Sequence, residues 1–126
     1  SKPIKTHVTE LKLTDFHQID FSVLRDFSNL RILNLGLTNL KDDDLEIFQD
    51  LGQLEQLNLY GTKITDVGLI KLAEYQRLKV LYLWDTKVSE SGINELKKKR
   101  PQLKIESGQF TFKLADTNLH KRLEVK

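Results

Sequence analysis

The chain has 126 residues, 39% hydrophobic and 30% charged, so it suits one globular domain and has no apolar run long enough to span a bilayer. Its net charge of +2 gives no reason to expect nucleic-acid binding, which needs a clustered basic face. Because cysteine is absent, this segment has no disulfide, thiolate metal site, cysteine nucleophile or covalent haem attachment.

The N-terminal part of the chain predicts an irregular first structural unit. Its opening residues, SKPIKTHVTEL, lack the apolar core of a secretory signal. Residues 8–19, VTELKLTDFHQI, alternate like a strand. Apolar residues at every third position come after them, at Phe21, Leu24 and Phe27. We interpret this region as a degenerate repeat.

A regular repeat occupies the middle of the chain. Leu30, Leu54 and Leu78 recur at a step of 24 residues. Each unit reads L-x-x-L-x-L-x-x-T-x-(L/I/V), a period-two strand pattern, and then places apolar residues at every third position, as in a helix. A fixed step of this length predicts a solenoid in which each unit stacks on its neighbours.

The stretches LRILNLGLTNL, LEQLNLYGTKI and LKVLYLWDTKV resemble the strand segments of the leucine-rich repeat family, over roughly residues 8–106. TKITDVGLIKL is similar to a bacterial subgroup that has threonine where the family usually has asparagine. The resemblance implies an α/β solenoid with parallel strands on the concave face, helices on the convex face and a cap at each end. We expect the threonines to hydrogen-bond the loop backbone; they are Thr38, Thr62 and Thr86.

We predict one domain with three parts: residues 1–29 as N-terminal cap and degenerate repeat, 30–102 as three regular repeats, and 103–126 as C-terminal cap and tail. In the tail, Phe110, Phe112 and Leu114 alternate like an edge strand. Thr65 and Ser89 are predicted helix N-caps. The last helix ends in ELKKKRP, where Lys99 or Arg100 takes the place that Leu51 and Tyr75 hold in earlier repeats.

Residues between the inward leucines are expected on the concave face, where they form columns across the strands. Tyr60 and Trp84 are expected as side-by-side neighbours, with Tyr82 diagonally adjacent, because parallel strands lie about 4.8 Å apart. Tyrosine and tryptophan often anchor interfaces. The predicted partner-binding residues are Tyr60, Tyr82, Trp84, Val80, Asn58, Gln56, Asn34, Ile32 and Asp85.

Two functional hypotheses follow from this surface. In the first, the chain is a non-catalytic module that binds a protein or peptide on its concave face. In the second, it is a scaffold domain whose aromatic face docks onto another domain of a longer parent protein, or is covered by the chain's own tail. A purely structural interpretation of the aromatics is that they stiffen the sheet through cross-strand packing. We expect no nucleic-acid partner, no membrane insertion and a monomer in isolation.

The remaining polar motifs give no strong reason to expect catalysis or a cofactor. The acidic run KDDDLE lacks the spacing of a calcium loop and is explained by the helix dipole. The run KKKR at a helix C-terminus fits a solvated face. His7, His17 and His120 belong to no hydrolase, zinc or phosphate-loop motif, so we predict no enzyme activity and no metal site.

The last repeat and exit, LYLWDTKVSESGINELKKKRPQLKIESG, resembles repeat segments of bacterial proteins that also carry a c-type cytochrome domain. This resemblance implies an exported parent, in the periplasm or at the cell surface, with a cytoplasmic location as the alternative. No haem-attachment motif C-x-x-C-H occurs in this chain. The haem function of such proteins therefore transfers to no residue here.

Overall fold

The computed structural model describes residues 2–14, 16 and 18–108, which contain one parallel sheet of five short strands. Neighbours in the sheet are neighbours in the chain, as the predicted solenoid requires. Three earlier predictions lie outside these residues: the tail strand with Phe110, Phe112 and Leu114, and the roles of His17 and His120. The strands are β1 Glu10–Lys12, β2 Ile32–Asn34, β3 Gln56–Asn58, β4 Val80–Tyr82 and β5 Lys104–Glu106.

The segments that return the chain from one strand to the next form helices on the convex face. In the first three returns much of this helix is 3₁₀, because apolar residues three positions apart share one side of a helix with three residues per turn. Only the last return is α-helical throughout. The α-helices are α1 Lys2–His7, α2 Asp66–Leu69 and α3 Glu90–Lys99, and the 3₁₀ helices are Phe21–Asp26, Asp42–Asp50 and Ile70–Glu74.

Inward leucines form the core between the sheet and the helices. Leu33, Leu57 and Leu81 pair in register along neighbouring strands and are completely buried. Burying one leucine side chain stabilises a fold by about 1.5–3 kcal/mol, so these columns are a main source of stability. The core also includes the leucines that directly follow three strands and residues from the helices, among them Leu35, Leu59, Leu83, Phe48, Leu72 and Leu96.

A buried threonine turns the chain away from the sheet in each regular repeat. Its hydroxyl donates a hydrogen bond to the carbonyl oxygen three residues earlier, and the predicted bond to the loop backbone is confirmed. The pairs are Thr38 to Leu35 at 2.7 Å, Thr62 to Leu59 at 2.8 Å and Thr86 to Leu83 at 2.9 Å. The bond satisfies a polar group in a place that is closed to water.

Thr65 and Ser89 are the N-caps of α2 and α3, as predicted. The Thr65 hydroxyl accepts a hydrogen bond from the Val67 N–H at 3.2 Å. The Ser89 hydroxyl accepts one from the Gly92 N–H at 3.0 Å. Each cap satisfies a helix N–H that has no partner within the helix.

An aspartate of the preceding repeat reaches across to each of these caps. Asp42 accepts hydrogen bonds from the Thr65 N–H at 2.9 Å and hydroxyl at 2.5 Å. Asp66 makes the same pair of bonds to Ser89, at 2.8 Å and 2.5 Å. A Cβ on Gly68 would collide with the Asp42 carboxylate, so glycine leaves room for it. The T-D-x-G pattern at residues 65–68 therefore marks a contact between neighbouring repeats.

The last return contains one extra residue, and α3 absorbs it. The Arg100 N–H donates to the Leu96 oxygen four residues back, whereas the Tyr75 N–H donates to Leu72 three residues back. Arg100 rather than Lys99 therefore stands in the place of Tyr75. Its guanidinium donates to the Tyr75 oxygen at 2.6 Å and the Leu78 oxygen at 2.8 Å, which ties the last repeat to the one before.

Contacts fasten the N-terminal helix to the first 3₁₀ helix. The Lys5 ammonium lies 3.4 Å from the Asp26 carboxylate and 5.9 Å from the centre of the Phe27 ring. The Asn29 amide donates to the Thr6 oxygen at 2.6 Å. These contacts fit an N-terminal cap, while the boundaries predicted at residues 29 and 102 stay predictions.

Replacing the buried hydroxyl of Thr62 tests the role of the threonines. We expect Thr62→Val to lower the free energy of unfolding by about 1 kcal/mol, because one buried hydrogen bond is lost at nearly constant volume. Urea denaturation followed by circular dichroism measures this change. Thr9→Val, at an exposed threonine, is the control. Equal stability of Thr62→Val and the unmodified chain would show that the hydroxyl contributes nothing.

Candidate functional site

Residues that alternate with the core leucines face outward on the concave side, and the strand register arranges them in columns. For the residues within the strands, the strand pairing confirms the predicted columns, of which there are two. The first contains Glu10, Ile32, Gln56 and Val80, and the second contains Lys12, Asn34, Asn58 and Tyr82. The last strand extends them with Lys104 and Glu106.

Tyr60 and Trp84 belong to a third column just beyond the strand ends. The Gly61 N–H donates to the Trp84 oxygen at 2.8 Å, which keeps these two positions in register. The next residue in each repeat has a positive φ: 60° at Leu37, 68° at Gly61 and 56° at Asp85. This left-handed turn bends the chain away from the sheet and holds the exposed Asp85 beside Trp84.

Trp84 and Tyr82 form a ring contact within the predicted site. Their centroids are 6.1 Å apart and the planes meet at 69°, which is an edge-to-face arrangement. Trp84 is 44% exposed, and the two tyrosines are half-buried. Trp84 and Tyr60 are neighbours in adjacent repeats, as predicted. The Trp84 ring, however, contacts the ring of Tyr82, which was expected in a diagonal position.

Tyr60 and Trp84 of the third column each lie against a glycine of a neighbouring repeat, and the glycine at Trp84 is needed to make room for the ring. A Cβ built on Gly36 would lie 3.5 Å from Cδ2 of Tyr60, so the Tyr60 ring leans toward β2. A Cβ built on Gly108 would lie 2.7 Å from Cδ1 of Trp84, so the indole lies over Gly108. The two rings thus lean toward opposite ends of the sheet.

Asn34 and Asn58 have a structural role that the sequence reasoning missed. The Asn34 side-chain oxygen accepts a hydrogen bond from the Gly36 N–H, and that of Asn58 accepts one from the Tyr60 N–H, both at 2.9 Å. One lone pair of each amide oxygen is thus used within the repeat, and the amide N–H groups are the donors that these residues can offer a partner. Tyr82 occupies the equivalent position in the next repeat and presents a ring instead of making this bond.

The predicted site divides into two halves of different chemistry. The aromatic half consists of Tyr60, Tyr82, Trp84 and Val80. The polar half surrounds a shallow depression of about 270 Å³. Among the residues lining that depression are Glu10, Lys12, Ile32, Asn34, Gln56 and Asn58. The apolar side chains of the predicted site are thus concentrated toward the C-terminal end of the concave face.

A group of charges lies where the strands begin; we name Glu55 with Arg31, Arg77 and Lys79 the Glu55 cluster. The Glu55 carboxylate is 3.4 Å from Arg31, 3.7 Å from Lys79 and 3.9 Å from Arg77. Burial raises the pKa of Glu55, but the three cations outweigh burial and hold the pKa below its ordinary value. The 24-residue step from position 31 to 55 to 79 could have revealed this cluster.

The acidic run after Leu40 is used for helix capping. Asp42 bonds to the cap of α2, as described above. Asp44 accepts a hydrogen bond from the Lys41 N–H at 3.0 Å, and its carboxylate lies 3.6 Å from the Lys41 ammonium. In the described part of the chain, no three histidine, aspartate or glutamate side chains are grouped closely enough to hold a metal ion.

The other polar candidates are dispersed. His7 is exposed at the end of α1. Lys98 pairs with Glu95 at 3.5 Å on the exposed side of α3. Within residues 2–14, 16 and 18–108, no helix is both long and apolar enough to cross a bilayer.

Comparisons with known proteins identify the fold. Neither a protein-family model nor a curated protein sequence matches the chain. Among solved structures, the chain is similar to the internalin InlF of Listeria monocytogenes strain 4b F2365, with a TM-score of 0.60 and 23% identity. The match covers 78% of this chain but only 28% of the internalin. The fold is thus a short leucine-rich repeat solenoid, as predicted.

Gly108→Ala tests the position of the indole. We expect the added methyl group to displace Trp84, which is the only tryptophan, and so to change its fluorescence and near-ultraviolet circular dichroism. Gly52→Ala is the matched control, because a Cβ there meets nothing within 4 Å. An unchanged tryptophan spectrum in Gly108→Ala would contradict this placement.

Glu55→Gln tests the electrostatics of the Glu55 cluster. Because the pKa is lower in the folded than in the unfolded chain, the carboxylate stabilises the fold at neutral pH, and this contribution is lost as the pH falls through the folded pKa. We expect the unmodified chain to be the more stable at about pH 6, with the difference shrinking by about pH 3. Urea denaturation at both pH values checks this, with Glu46→Gln as an exposed control. A difference that grows in acid would contradict it.

Proposed function

We propose that the chain is a non-catalytic protein-interaction module whose concave face binds a protein or peptide. The observation that carries this proposal is the exposed indole of Trp84, packed edge-on against Tyr82 on the side of the sheet away from the core. Such rings bury a large area with little loss of conformational entropy. An exposed apolar cluster on an ordered surface is typical of a binding site.

Each half of the surface has its own part in the proposed interaction. Tyr60, Tyr82, Trp84 and Val80 supply apolar anchors. Because the Asn34 and Asn58 oxygens are already bonded to backbone, those residues offer amide donors that suit carbonyl oxygens of a partner. Together with Ile32, Gln56 and Asp85, these residues make up the proposed site.

The size of the face favours a peptide-sized footprint. Five strands at about 4.8 Å spacing span about 19 Å between the outer strands. A standard interface buries about 800 Å² on each partner, which this face supplies only if the partner also contacts its edges. Weak binding, strengthened by avidity in a larger assembly, fits such a surface.

The alternative function is a scaffold in which the same face docks onto another domain of a longer parent. The observation that favours it is the coverage of only 28% of the matched internalin, since this chain then corresponds to a fraction of a larger solenoid protein. The likeness to an internalin supports an interaction role by analogy of fold alone. Intramolecular docking predicts that the separate domain captures no partner through its aromatic half.

A capture experiment tests the intermolecular proposal. The unmodified chain and a Tyr60→Ala, Tyr82→Ala, Trp84→Ala variant, both shown to be folded by circular dichroism, are used as baits in extracts of the source cells. We expect a partner that binds the unmodified chain and loses at least about tenfold in recovery with the variant, because hot-spot aromatics dominate interface energy.

The matched control removes exposed apolar side chains from elsewhere, through Phe16→Ala, Val23→Ala and Val67→Ala. This control should retain the partner. Equal capture by all three proteins would place the interaction outside the aromatic half, and capture by none would favour the scaffold function.

A further inference from the structure

The Glu55 cluster presents positive charge to solvent although it contains a carboxylate. Three cations surround one anion, and the Glu55 side chain is only 20% exposed. By contrast, Arg31, Arg77 and Lys79 are 60%, 58% and 72% exposed. The carboxylate thus holds the cations together from beneath, while their outer surfaces stay open to an approaching anion.

This cluster lies at the edge of the sheet where the strands begin, at the opposite end of β4 from Tyr82 and Trp84. Lys79 directly precedes β4, and the Lys104 N–H donates to the Lys79 oxygen at 2.9 Å, so β5 also begins beside it. Trp84 lies five residues further along the same strand direction. At about 3.3 Å per residue, the backbones of Lys79 and Trp84 are about 16 Å apart. An extended peptide covers this distance in about five residues.

We propose that the Glu55 cluster recognises carboxylates of the partner, and that the partner is a peptide segment with an apolar anchor and an aspartate or glutamate about five residues from it. The apolar anchor contacts Trp84 and Tyr82, and the acid contacts Arg77 and Lys79. This inference rests on the proposed function of the concave face.

The charge count favours an acidic peptide over a nucleic acid. With Glu55 neutralising one cation, the cluster has an excess of two positive charges, whereas duplex binding commonly uses six to ten phosphate contacts. An excess of two positive charges beside an aromatic surface suits one or two carboxylates of a peptide. Such charges accelerate association and fix the orientation of the peptide.

Selection from a library of random 12-residue peptides displayed on phage tests this inference with the full chain as bait. We expect the enriched peptides to combine an aromatic or aliphatic residue with an aspartate or glutamate about five positions away. An Arg77→Gln, Lys79→Gln variant should lose the acidic preference and keep the apolar one. Lys63→Gln, Lys71→Gln, which removes the same charge from exposed sites elsewhere, should select the same peptides as the unmodified chain.

Titration of one synthetic peptide from the selection gives the size of the effect. We expect Arg77→Gln, Lys79→Gln to weaken binding about three- to tenfold at about 50 mM NaCl, with a smaller factor at about 500 mM because salt screens exposed charges. Lys63→Gln, Lys71→Gln should bind within about twofold of the unmodified chain.

The outcomes separate this inference from the proposed function. Enriched peptides without an acidic preference, an empty selection, or equal binding by Arg77→Gln, Lys79→Gln would overturn the inference. Binding of a single-stranded oligonucleotide that depends on Arg77 and Lys79, without acidic peptides, would also overturn it. If Tyr60→Ala, Tyr82→Ala, Trp84→Ala bound the same peptide equally, the aromatic site itself would be refuted.

Discussion

Each regular repeat of this solenoid turns its chain off a buried strand at a buried threonine, whose hydroxyl needs a hydrogen-bond partner because water does not reach it. The carbonyl oxygen three residues earlier accepts that bond. The same turn at Thr38, Thr62 and Thr86 gives every regular repeat the same exit from the sheet. Identical exits keep the strands in register, so that leucines stack on leucines inside and outward residues form columns outside. The position of Trp84 therefore depends on hydrogen bonds in the core beneath it.

Local patterns in the sequence predicted the architecture, because strand alternation and the 24-residue step are set by backbone geometry. The columns and the caps at Thr65 and Ser89 were predicted on this basis. The hydrogen bonds from Thr65 to Asp42 and the Glu55 cluster were not predicted. They involve side chains of different repeats, which meet only when the repeats stack. The contact of Trp84 with Tyr82 likewise depends on the direction in which each ring leans over its neighbours.

The two halves of the proposed site differ in how their side chains are used. In the polar half, Asn34 and Asn58 each fasten the backbone two residues ahead. At the equivalent position of the next repeat, Tyr82 gives up this bond and contacts Trp84 instead. The fourth strand thus has an aromatic ring at a position where the two preceding strands have an asparagine that stabilises the turn. Such a loss of a local stabilising bond is expected at a functional surface. The flanking Gly108 leaves room for the indole, and the Glu55 cluster adds charge at the rim.

Site-specific photocrosslinking in the cells that produce the protein tests the central claim most directly. A photoreactive phenylalanine analogue at Tyr60 lies within the aromatic half, while the same analogue at Val67 lies on exposed helix surface. The account predicts a covalent adduct between position 60 and a separate polypeptide, and none from position 67. Equal adducts from both positions, or products from position 60 only within the same chain, would contradict an intermolecular concave binding site.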